Sequence, residues 1–184
     1  MTDPEAITDP GVKADPAELE KLRDMIAEAE FAMLTTISHD NKLVSRPMAV
    51  QETEFDGDLW FVFSQSSSQA DQLREESEAN ASFQTKGTWV SVAGTGRIVQ
   101  DREKLLQLWR PALSAWFPDG VDTPGVALLK IEAESAQYWN SDGGAVRYAF
   151  EMAKARVKGQ QPDYGESKKL DISMHSRSLT ATSP

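Results

Sequence analysis

The chain has 184 residues, 40% of them hydrophobic and 26% charged, which suits one domain with a real core, or one domain and a tail. Acidic residues outnumber basic ones, so the formal charge is 19 − 29 = −10, a field that opposes nucleic acid and anionic membranes while leaving room for a local basic pocket. There is no cysteine, which excludes disulfides and thiolate metal ligands and fits a reducing cytoplasm.

Residues 1–14 are polar with two prolines and read as a flexible lead, with no signal peptide and no run long enough to span a membrane. A helix is predicted from Asp15, with Asp15 as N-cap, Pro16 in the first turn and Glu18 reaching back as a capping box. Leu19, Leu22, Met25 and Ile26 share one face of it. "FAMLTTIS" (31–38) and "LVSRPMAVQETEF" (43–55) read as strands around a polar turn, His39 to Lys42. Asp56-Gly57-Asp58 reads as a hairpin turn into a third strand, "LWFVFS" (59–64), apolar enough to be buried on both faces. Together these suggest an antiparallel meander.

Ser66-Ser67-Ser68 opens a short helix over Gln69–Glu76. "NASFQT" (80–85) and "TWVSVAGTGRIVQ" (88–100) return to strand alternation, with Gly94-Thr95-Gly96 read as a bulge or barrel corner. Asp101 caps a helix over 102–116, which Pro111 breaks or kinks. "VALLKIEAESAQYWN" (126–140) supplies one or two closing strands, and 143–159 reads as a helix. The domain therefore spans 15–159, and 160–184 reads as a polar, disordered tail. Short strands with few, peripheral helices point to a small barrel, mainly β.

Arg46 beside Pro47 is unusual inside a strand. The strand ending at Ser64 runs into the serine cluster and a helix N-terminus, which offers free N–H groups and partial positive charge. Should Arg46 point the same way, the three make a phosphate cup; otherwise the serines are a plain N-cap and Arg46 a solvated edge residue. Trp60, Trp89 and Trp139 lie in strands and are assigned to the core. Trp109 and Trp116 flank Pro111 and form either a cleft wall or helix packing. Asp119 and Asp122 are explained by a loop beside Gly120 without a cation. With two histidines far apart, no metal site is expected.

"RPMAV", "DGDLWFVFSQSSSQADQL", "WVSVAGTGRIVQDREKLLQLWRPALSAWFPDG" and "ALLKIEAESAQYWN" stand in an order and spacing that resemble the general stress protein branch of the pyridoxamine 5'-phosphate oxidase-like superfamily. The resemblance covers roughly residues 17–158. It implies a six-stranded antiparallel split barrel that pairs into a homodimer, with FMN at the subunit interface. It further implies that Arg46, Ser67, Ser68 and Gln69 meet the flavin phosphate. Pro47, Met48 and Ala49 would run alongside the ring, Phe63 and Ser64 would face it, and Trp109 and Trp116 would reach the cleft. Lysine is usual where this chain has Gln69. A neutral donor in its place lowers the expected affinity about tenfold, since charged and neutral hydrogen bonds differ by about 1 kcal/mol. The resemblance implies a flavin-dependent oxidoreductase of unknown substrate or a non-catalytic protein that stores or senses FMN. A haem-binding relative with His39 as axial ligand is a third reading.

Overall fold

The computed structural model describes residues 12–51, 55–140 and 166–172. Eight strands and three α-helices run in the order β1 (Val12–Lys13), α1 (Pro16–Ala27), β2 (Phe31–Ile37), β3 (Leu43–Ala49), β4 (Asp58–Ser64), α2 (Ser68–Glu75), β5 (Glu78–Thr85), β6 (Thr88–Val99), α3 (Arg102–Leu108), β7 (Val126–Asn140) and β8 (Glu166–Asp171). The sheet order is β1-β8-β7-β6-β5-β2-β3, with β4 on β7. Without the marginal β1 and β8, this is the six-stranded antiparallel split barrel, mainly β with peripheral helices.

Local signals set most of these elements. Asp15 accepts from the N–H of Glu18 at 2.9 Å and starts α1, whose buried stripe is Leu19, Leu22, Met25 and Ile26. The capping box is not completed as expected. The Glu18 carboxylate instead accepts from the Tyr138 hydroxyl at 3.0 Å and from Lys168 Nζ at 2.6 Å, tying α1 to β7 and β8. Asn41 takes the left-handed turn between β2 and β3 with φ 59.

The expected β3–β4 hairpin does not form. Gly57 makes its turn at φ 109, but β4 pairs with β7, from Asp58↔Glu132 to Ser64↔Val126. Turn chemistry is local, whereas partner choice follows burial. β4 is apolar on both faces: Leu59, Phe61 and Phe63 enter the main core, while Val62 and Trp60 meet a second cluster with Leu105, Leu108, Leu113 and Phe117. A strand between two cores suits only an equally apolar neighbour, and β7 supplies Leu128 to one core and Leu129 and Ile131 to the other.

β7 is one strand of 15 residues. A register shift in its pairing with β6 at Ala93/Gly94 marks the bulge that Gly94-Thr95-Gly96 suggested. Gly94 is required there, because a Cβ would lie 2.0 Å from the Glu132 carbonyl oxygen. Beyond the bulge β7 exchanges β4 for β8, from Ser135↔Asp171 to Asn140↔Glu166.

The segment read as a disordered tail therefore contains a strand. Leu170 and Ile172 are buried in the main core, and Val12–Lys13, in the segment read as a flexible lead, pair with Leu170–Asp171. The polar run hid two inward positions among charged neighbours. α3 ends at Leu108, short of the expected 116: Trp109 is already extended at φ −69, ψ 128, and Arg110, before Pro111, is extended at φ −119, ψ 142. A 3₁₀ turn, Pro111–Ala115, follows. The helix expected over 143–159 lies outside the described residues.

Two tryptophan assignments are reversed. Trp89 and Trp139 stand opposite each other in the β6–β7 register and are 44% and 40% exposed, not core. Trp109 packs against Phe117 in the second core, with ring centroids 6.1 Å apart. Alternation groups side chains by face but does not say which face is inward.

Candidate functional site

β3 is an edge strand whose partner is β2, the position where a proline is tolerated. Strand alternation and the register put Val44, Arg46 and Met48 on one face and Leu43, Ser45, Pro47 and Ala49 on the other. Met48 is buried in the core, while Arg46, nearer the strand's start, reaches past β2 to α2.

Arg46 Nη1 donates to Thr36 Oγ1 at 2.7 Å, and Nη2 donates to Gln72 Oε1 at 2.9 Å. Thr36 is fully buried and donates in turn to Gln72 Oε1 at 2.6 Å. Both contacts of the guanidinium are neutral, and no carboxylate pairs with it among the described residues. Burial pulls the Arg46 pKa below its ordinary value, yet leaves it a fixed cation. A part-buried guanidinium whose partners are neutral keeps its charge uncancelled and can accept an anionic partner.

Gln72 lies in α2 at three and four residues from Gln69 and Ser68, so all three share one helix face. Arg46 is thereby brought to the side of α2 that carries its first turn. Ser67 is the N-cap residue, but its hydroxyl donates to the Ser64 carbonyl at 2.6 Å and does not cap the helix. No hydrogen bond to the N–H of Ser68 or Gln69 is made among the described residues. The donor set is a guanidinium, helix N–H groups and a serine hydroxyl, the chemistry a phosphate needs. Arg46 is therefore part-buried and hydrogen-bonded to Thr36 and Gln72, and is not a solvated edge residue.

The other end of β3 opens on a cleft of about 660 Å³, lined among others by Phe31, Ala49, Val50, Gln51, Arg110 and Trp116. Arg110 donates to the Val50 carbonyl at 2.9 Å and holds the 3₁₀ turn against this strand end. Gln51 is buried; its amide donates to the Ala49 carbonyl at 3.0 Å, while its Oε1 has no partner among the described residues. At about 3.3 Å per residue, Arg46 and Val50 are about 13 Å apart along β3. A ligand that joins the two must be elongated, with an anionic end and a flat or apolar end.

Of the residues singled out from the sequence, Arg46 reaches α2 through Gln72, on the helix face that also carries Ser68 and Gln69, while Ala49 and Trp116 line the cleft. Pro47 lies between, on the exposed face, and Ser64 ends β4 beside the serine cluster. The side chains of Met48, Phe63 and Trp109 are packed in the cores. His39 is exposed in the β2–β3 turn, away from both sites. Thr36, Gln72 and Gln51 were not legible: a threonine in a strand and glutamines without a motif carry no signal until the fold assembles them.

Residues 17–163 match the family model described as pyridoxamine 5'-phosphate oxidase like, and the chain belongs to that family. It is similar to protein bli-3 of Neurospora crassa, 32% identical over 157 residues, covering 78% of this chain and 74% of that protein. Among solved structures it resembles a general stress protein 26 from Jannaschia sp. CCS1, at TM-score 0.67 and 28% identity, covering 84% of this chain and 99% of the other. It also resembles the general stress FMN/FAD binding protein of Xanthomonas citri, at TM-score 0.60 and 26% identity, covering 68% and 90%. A heme binding protein from Mycobacterium smegmatis shares the fold at TM-score 0.60, with 11% identity over 89% of this chain and 62% of that one.

Proposed function

We propose that the chain binds FMN between two copies of itself and acts as a flavin-dependent oxidoreductase. The observation that carries this reading is the part-buried Arg46, held by neutral partners beside the first turn of α2. Its guanidinium, with Ser68 and Gln69, would hold the phosphate; β3 would run beside the ribityl chain, with the ring toward Ala49, Gln51 and Trp116. FMN would supply electron transfer, and the chain would supply orientation and exclusion of water from one face.

A second copy is favoured by the outward face of the barrel. Phe31, Met33, Leu43 and Pro47 stand there, with Trp89 and Trp139 further across the same face. Between them lie Thr35, Ser45, Asn80, Ser82, Ser91 and Gln137, with no charge. An uncharged face, polar at its centre and apolar at its two sides, in so acidic a chain fits a partner of the same net charge.

The test is a titration of the purified chain with FMN, followed by anaerobic addition of a reduced nicotinamide and sedimentation of the complex. Binding, bleaching of the flavin and a two-chain mass are expected. Failure to take up FMN overturns the proposal. Binding without reduction by any donor favours the second reading, a protein that stores or senses FMN. The neutral Gln69 favours that reading, since a loosely held flavin exchanges. A haem role has no support from His39, which sits in the exposed turn. Among the described residues no helix is long and apolar enough to cross a membrane, and a cytoplasmic location is part of the proposal.

A further inference from the structure

We propose that Thr36 and Gln72 are positioning residues that set selectivity for a phosphorylated ligand over its dephosphorylated form, by fixing Arg46 while leaving its charge uncancelled. This rests on the reading that the Arg46 end of the site receives a phosphate.

The geometry is a closed triangle. Arg46 donates to both partners, at 2.7 and 2.9 Å, and Thr36 donates to Gln72 at 2.6 Å. Two donors converge on Gln72 Oε1, and arginine has no acceptor, so the carboxamide must present its oxygen and not its nitrogen. Thr36 is fully buried and cannot swing away, which fixes the triangle to β2. Arginine has five N–H donors; two are engaged here, and 5 − 2 leaves three without a partner among the described residues.

A carboxylate at position 72 would hold the same guanidinium at least as firmly. It would also neutralise it, and the site would lose its attraction for an anion. A carboxamide gives the hydrogen bond without the charge. The triangle also orders a long flexible side chain before the ligand arrives, so less ordering is left to the binding step. A mere cross-link between β3, β2 and α2 has no use for that neutrality: an ion pair would serve it better.

The two roles predict opposite behaviour of Gln72→Glu. The full chain is titrated with FMN and with riboflavin at fixed ionic strength, and its melting temperature is recorded. Gln72→Glu is expected to melt at or above the wild-type temperature. Its FMN Kd rises about tenfold, the scale of exchanging a charged for a neutral partner, while its riboflavin Kd is unchanged. Thr36→Val and Gln72→Leu lower the FMN-over-riboflavin preference several-fold, and inorganic phosphate competes with FMN on the wild type but not on Gln72→Glu. A preference unchanged in all three variants, with only the melting temperature moving, assigns the triangle to structure and overturns the proposal. A wild type that binds FMN and riboflavin equally well also overturns it, while leaving flavin binding intact. A wild type that binds neither refutes the flavin reading itself, and this inference with it.

Discussion

Two of the barrel's part-buried cations are held in opposite ways. Lys130, on β7, is 19% exposed; its Nζ lies 2.9 Å from Asp58 and 3.3 Å from Glu132, over the Trp60 ring. Arg46, on β3, meets only a threonine and a glutamine among the described residues. Burial works against the charge of both. At Lys130 the carboxylates outweigh it and the pKa rises; at Arg46 nothing does and the pKa falls. Asp58 is raised by burial in spite of Lys130, so it is the costly member of its pair. The first cation belongs to the fold, because its counter-charges are built in. The second has only neutral partners among the described residues, and the proposed phosphate site rests on it.

Removing each cation separates these roles. Lys130→Met strands the Asp58 carboxylate in a part-buried position, and the chain is expected to lose about 3 kcal/mol of stability in urea unfolding. A loss below about 1 kcal/mol would place the pair with weak surface bridges and erase the contrast. Arg46→Met removes no ion pair and leaves Thr36 bonded to Gln72, so stability changes by about 1 kcal/mol or less. FMN affinity falls by about 1.5–3 kcal/mol, with riboflavin unaffected. A variant that loses more than about 2 kcal/mol of stability while its folded form keeps the FMN preference would make Arg46 structural after all. Gln69→Lys adds a second cation beside Arg46 and tightens FMN about tenfold, read by flavin fluorescence.

The smallest effect is alkaline. The Lys130 pKa is raised above 10.5, so its pairing stabilises the fold fully below that value and the contribution is lost as pH rises through the raised pKa. Wild type is expected to lose more stability than Lys130→Met above pH 10.5. Parallel loss in the two would show that the pair does not depend on the lysine proton.

Much of this contrast was legible in the sequence, but not all. "VSRPMAV" marked Arg46 as out of place in a strand, and the Ser66–Ser68 cluster marked the helix mouth. What holds Arg46 was invisible, because Thr36 and Gln72 lie 10 and 26 residues away and become neighbours only through β2 and α2. The same limit explains β4. Its doubly apolar run was read correctly as buried on both faces, yet its partner lies beyond Val126, and the Asp56-Gly57-Asp58 turn suggested a nearer one. Residues 166–172 were missed because Leu170 and Ile172 are isolated among lysines and aspartate. Local chemistry reveals elements; it does not reveal which distant element completes them.

The pairing of β4 with β7 also sets an order of events at the ribosome. Phe61 and Phe63 emerge well before Leu129 and Ala127, their counterparts in the register. In the interval β4 is a nascent apolar edge with no ladder to join. A chain cut short before residue 126 would leave β4 without its partner strand, an unpaired apolar edge of the kind that aggregates.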